Sequence, residues 1–101
     1  MNERADDGLQ VVAASDGLEA RGEIDLDSAD RLTEAVVGAP GRVVLSLEGV
    51  TFIDSSGLRG LIQAQRTLQG RGDDLVLRRP SPVVHRLLEI TGLLDEFTIE
   101  A

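Results

Sequence analysis

The sequence predicts an α/β fold, with one mixed central sheet of about five strands and three to four helices. Three observations carry that expectation. Short β-branched apolar runs alternate with segments of helical spacing in the middle of the chain, a hairpin signal opens it, and glycine or proline punctuates the junctions. The 101 residues suit one domain, expected to run over 1–101 with residues 1–7 flexible. Hydrophobic residues make up 42% of the chain but only Phe52 and Phe97 are aromatic, so the core has to be built from Leu, Val, Ile and Ala.

The elements follow in order. LQVVAA at 9–14 and LEARGEI at 18–24 flank Ser15, Asp16 and Gly17, and an Asp-Gly pair between two strand-like runs predicts an antiparallel hairpin. Ala29, Leu32, Thr33 and Val36 then fall at helical spacing, with Asp27 or Ser28 able to cap the first turn and Gly38 and Pro40 ending the helix. RVVLSL at 42–47 is too short for a helix and is bounded by Pro40-Gly41 and Glu48-Gly49, which predicts a buried central strand. In DSSGLRGLIQAQRTLQG, residues 54–70, Leu58, Leu61, Ile62, Gln65 and Leu68 share one face of a second helix, stopped by Gly70 and Gly72. DLVLRR at 74–79 reads as another strand. Pro80-Ser81-Pro82 supplies a breaker, an N-cap and a proline at the first helical position. A third helix follows with Val84, Leu87, Leu88 and Thr91 inward, ended by Thr91-Gly92, and a short turn at Leu93-Leu94 leads to an edge strand through Phe97-Thr98-Ile99.

Composition narrows the function. With 18 acidic and 10 basic residues the formal charge is −8, which repels nucleic acid and anionic membrane surfaces alike. Cysteine is absent, which removes disulfides, a thiolate nucleophile and a thiolate metal site. Residues 1–8 are charged and no apolar run follows them that could serve as a leader or a membrane span, so a soluble cytoplasmic protein is expected. His85 is the single histidine, and without further imidazoles or thiols it makes no metal site. Glu23, Asp25, Asp27 and Asp30 cluster where helix one begins, a place where acidic groups complement the helix dipole. Gly57-Leu58-Arg59-Gly60 lacks the lysine and the spacing of a phosphate loop, and Arg71-Gly72-Asp73 reads as a glycine turn. Neither a catalytic site nor a cofactor is expected.

One segment stands apart. Ile53-Asp54-Ser55-Ser56-Gly57-Leu58 joins an apolar strand to a helix through side chains that all satisfy free backbone N–H groups. A simple capped helix start accounts for much of it. Two adjacent hydroxyls and a carboxylate nevertheless exceed what one cap needs, and Gly57 implies a close approach to its backbone over a bare, smooth surface. A helix N-terminus also suits an added phosphate, because free N–H groups and the positive end of the dipole point at it.

At these residues the chain resembles a known family. Asp54-Ser55-Ser56-Gly57-Leu58 is similar to the signature of the anti-sigma factor antagonists, small STAS domains of partner-switching transcription control. The likeness extends to Gly22-Glu23-Ile24-Asp25 before helix one and to Val43-Val44-Leu45-Ser46-Leu47 in the central strand. It continues through Ser81 to Leu88 and Thr91-Gly92-Leu93 in the third helix and its end. The resemblance implies Ser55 as phosphoacceptor, with Asp25 and Asp54 as acidic neighbours. It also implies that the unphosphorylated form binds an anti-sigma factor with serine kinase activity and frees a sigma factor. The implied contact set is Asp25, Asp54, Ser55, Ser56, Gly57 and Leu58, to which the exposed stripe Arg59, Gln63 and Arg66 on helix two adds a basic flank. Arg59 and Gly60 depart from the residues that often follow the family's Gly-Leu pair. A monomer or weak dimer is expected. The other use the resemblance admits is a scaffold or regulatory subunit of a transporter or lipid-transport complex, with no phosphorylation switch.

Overall fold

The computed structural model describes residues 8–101, and the expectation of flexibility at 1–7 lies outside the described residues. Five strands form one mixed sheet in sequence order: β1 (Leu9–Ala14), β2 (Gly17–Ile24), β3 (Val43–Ile53), β4 (Leu75–Arg78) and β5 (Thr98–Glu100). The β1–β2 pair is antiparallel and every later pair is parallel. Parallel neighbours need crossovers. These are α1 (Ala29–Gly38), α2 (Ser55–Gly70) and α3 (Pro82–Ile90), the last followed by a short 3-10 helix at Leu94–Glu96.

Alternation along the strands sends successive side chains to opposite faces, and Val44 and Val76 are buried on the second face as well. Val43, Leu45 and Leu47 of β3 and Leu75 and Leu77 of β4 join Leu32 and Val36 of α1, Leu61 and Leu68 of α2, and Val84 and Leu88 of α3 in one core. Nearly all of these are aliphatic, as the composition requires, and Phe97 closes the same cluster beside β5. The intervening residues Ser46 and Arg78 lie in register on the opposite face with Glu19 and Glu100. There Arg78 grips both Asp16 carboxylate oxygens at 2.9 Å and also pairs with Glu100, fastening the hairpin turn to the last strand.

Several local expectations need correction. The hairpin forms where predicted, but its closing pair is Ala14 and Gly17, so the two-residue loop is Ser15-Asp16. Gly17 does not use a positive φ: it is needed because the Val44 carbonyl oxygen would lie 2.1 Å from a Cβ there. The central strand does not stop at Glu48-Gly49 but continues to Ile53. Between Ser46 and Phe52 it gains residues on β2 in two register shifts, a bulging that absorbs the turn-like residues without breaking the ladder. Ser28 occupies the N-cap position of α1, but its side chain makes no cap bond. It is buried and turned back, accepting from Asp25 N at 3.0 Å and lying 3.1 Å from both Glu23 O and Asp25 Oδ1. Thr91 is exposed at the end of α3, donating to Leu87 O at 2.7 Å, instead of facing the core.

Candidate functional site at the start of helix α2

The candidate site lies at the carboxyl ends of the parallel strands β2 and β3, the side of such a sheet where ligands generally meet the chain. Ile24 and Ile53 are paired in register, so Asp25 and Asp54 leave the sheet side by side, and Asp54 N still donates to Ile24 O at 3.3 Å. Both carboxylates have structural duties. Asp54 is the N-cap of α2: its backbone is extended, and its Oδ1 accepts from Gly57 N at 3.0 Å. Asp25 Oδ1 accepts from Asp27 N at 3.1 Å, and Asp25 O accepts from Ala29 N at 2.8 Å, which shapes the loop entering α1.

With Gly57 N held by the Asp54 carboxylate and Leu58 N by Asp54 O at 2.9 Å, the amides of Ser55 and Ser56 are the remaining orphans of this helix start. Ser55 is exposed and Ser56 half-buried. Neither serine caps the helix. Ser55 is therefore free for chemistry that leaves the fold intact.

Gly57 works differently from the expectation. A Cβ there would lie 2.4 Å from Ile24 O, 2.8 Å from Ile24 Cγ2 and 2.9 Å from Ile53 Cγ1. The close approach is made by the chain's own strand ends, not by an outside surface. Gly57 and Leu58 are both buried, Leu58 at 7% exposure, so they seat the helix from beneath. Arg59, Gln63 and Arg66 are exposed along α2 as the spacing predicts. Arg59 and Arg66 have no ion pair or hydrogen bond to the described residues.

Two nearby residues carry no motif and were not anticipated. Leu26, in the loop after β2, is 76% exposed, and Phe52, near the tip of β3, is 44% exposed. An isolated apolar residue in a loop gives no signal in sequence, since scattered exposed leucines are ordinary. Among the described residues no group of three His, Cys, Asp or Glu side chains assembles as a metal site, and no helix is long and apolar enough to cross a membrane. His85 is exposed on α3.

A family model described as Mlab, STAS domain matches residues 8–99, and the chain belongs to the STAS domain family. The anti-sigma-B factor antagonist of Listeria monocytogenes is 34% identical over 104 positions, covering 99% of this chain and 85% of the relative. The anti-sigma F factor antagonist of Paenibacillus polymyxa is 32% identical over 77 residues, covering 71% of this chain and 66% of the relative. Among solved structures, an anti-sigma factor antagonist from Mycobacterium paratuberculosis superposes with a TM-score of 0.73 at 26% identity, over 91% of this chain and 83% of that one. Bacillus SpoIIAA in its phosphorylated form shares the fold with a TM-score of 0.64 at 21% identity, over 92% of this chain and 91% of that one.

Proposed function

We propose that this protein is a non-enzymatic, cytoplasmic anti-sigma factor antagonist. Its unphosphorylated form binds an anti-sigma factor that is also a serine kinase, and binding frees a sigma factor. Phosphorylation of Ser55 reverses it. The observation that carries this reading is a serine hydroxyl exposed at the first position of α2, beside two aspartates that already satisfy the helix and loop. The names of the relatives, and a solved relative of the fold in a phosphorylated form, support it.

The switch is electrostatic. The γ-phosphoryl group of ATP passes to Ser55 Oγ, the hydroxyl proton is released and ADP leaves. The product adds about −1.5 to −2 charges at neutral pH. It is tolerated within the fold, because the amides of Ser55 and Ser56 and the positive end of the helix dipole face it. A partner covering the site must instead desolvate that charge next to Asp54 and Asp25, and binding fails. The contact set proposed at the surface is Asp25, Asp54, Ser55 and Ser56 with Arg59, Gln63 and Arg66, while Gly57 and Leu58 hold the helix in position.

The test is titration of purified protein with anti-sigma-B and anti-sigma F factor kinases in the presence of ADP, followed by separate incubation with ATP and peptide mass spectrometry. Wild type and Ser55→Ala are expected to bind and only wild type to gain a phosphate, on the peptide carrying Ser55. Ser55→Asp is expected to bind about a hundredfold more weakly, since a coupling of about 3 kcal/mol suffices. Equal binding by the alanine and aspartate variants would favour the scaffold use of the fold without a switch.

A further inference from the structure

We infer that partner choice resides in a cleft beside the phosphoacceptor, between the starts of α1 and α2, with Leu26 and Arg59 as its specificity determinants. The cleft takes an apolar side chain of the anti-sigma factor with a carboxylate next to it. This inference rests on the function proposed above: it adds Leu26 to that contact set and gives Arg59 the particular role of selecting the partner.

The cleft has a volume of about 110 Å³ and is lined by Leu26, Ala29, Asp30, Ser56, Arg59 and Gln63. Ser56, next in sequence to Ser55, is one of the lining residues, so the cleft adjoins the phosphoacceptor segment. The two helices that form its walls are tied together by Thr33 of α1, whose Oγ1 lies 2.9 Å from Gly60 O of α2. The cleft is therefore preformed, which lowers the ordering cost of binding.

Its two determinants have no duty inside the protein. Leu26 is 76% exposed at the lip, the largest exposure of any large hydrophobic residue among those described. Arg59 has no ion pair among the described residues, on a chain whose formal charge is −8. Charge also selects the occupant. Two copies of this chain, each with a formal charge of −8, repel one another as they approach, whereas a partner without that excess can present one carboxylate to Arg59. Asp30, on the α1 side of the same cleft, disfavours a carboxylate placed the other way round and so fixes orientation.

The division of labour is that the phosphate on Ser55 decides when a partner binds, and the cleft decides which partner binds. The probe is the anti-sigma factor kinase selected by the titration above. Leu26→Ser is expected to weaken its binding by about thirtyfold through faster dissociation, as at a buried apolar anchor. Arg59→Glu is expected to weaken it by at least about tenfold through slower association, with an altered salt dependence of the on-rate. Unchanged melting temperatures in both variants would exclude a folding defect. Wild-type affinity in both variants, with Ser55→Asp still defective, overturns the cleft and leaves the switch standing. Failure of the wild type to bind any of the kinases overturns both. If Leu26→Ser alters self-association in sedimentation but not kinase affinity, the cleft belongs to a second copy and the inference is wrong.

Discussion

The two ends of helix α2 treat their arginines in opposite ways. At its C-terminal end Arg71 is fully engaged: its guanidinium donates to Val37 O at 2.8 Å, Ala39 O at 2.6 Å and Gly41 O at 3.3 Å, and its Nε meets Asp73 at 2.9 Å. It thereby satisfies carbonyls at the end of α1, where a cation also suits the helix dipole. Near the N-terminal end Arg59 has no partner among the described residues and stands beside the exposed Leu26 and the half-buried Ser56. In an acidic protein, cations that hold the fold find anions or carbonyls at home. A cation left over beside a cleft is available to something else.

That contrast can be broken by experiment. Gly57→Ala attacks the seat of the functional end and should be the most damaging to stability, by about 2–3 kcal/mol, because the new methyl meets backbone and two isoleucines that have little room to move. Denaturant melts would show it, and an unchanged midpoint would refute the packing described for this helix start. Arg71→Ala should cost about 1–2 kcal/mol at the other end, since charged donors are withdrawn from several carbonyls at a partly exposed site. Arg66→Glu, on the exposed stripe, should leave stability within about 0.5 kcal/mol. Any change in kinase binding should be several-fold at most, and a larger effect than that of Arg59→Glu would move the centre of the interface along the helix.

The smallest effect concerns acid. The Arg78 side chain holds the Asp16 carboxyl below its ordinary value by hydrogen bonding, and the folded pKa is therefore depressed. A depressed carboxylate contributes stability above the unfolded pKa of about 4 and loses it as pH falls through the folded value. Glu19, lowered in the same way by Arg21, acts in the same window. Asp16→Asn should thus melt slightly below wild type at neutral pH, with the gap closing in acid. Because Asp16 is exposed, salt should shrink the difference as well.

Much of this architecture can be read from the chain because its punctuation is local. Gly38 and Pro40, Gly70 and Gly72, and Pro80 to Pro82 stop and start elements where they were expected, and Ser55 emerges at a helix start because Asp54 caps it. What could not be read depends on contacts distant in sequence. Glu48-Gly49 looks like a turn, but pairing with β2 carries β3 through it as bulges. Ser28 looks like a cap, but burial against Glu23 and Asp25 redirects its hydroxyl. Gly57 marks a close approach, but sequence cannot say from which side the approach comes, and Leu26 gains meaning only when α2 is placed across from it.

The unequal lengths of β3 and β4 have one further consequence, in the slow opening of the backbone. β4 pairs with β3 only from Val43 to Ser46, and beyond that point Leu47 O receives Ser81 N at 3.2 Å while the rest of β3 has a strand neighbour on the β2 side alone. Amide hydrogen exchange should therefore be slowest at Leu45 and Leu77 and faster at Val50 to Ile53, where local opening precedes global unfolding. Ser55 sits just past that less-braced tip, so under the proposed function a kinase drawing its hydroxyl into an active site would work against a local opening energy smaller than the stability of the whole domain.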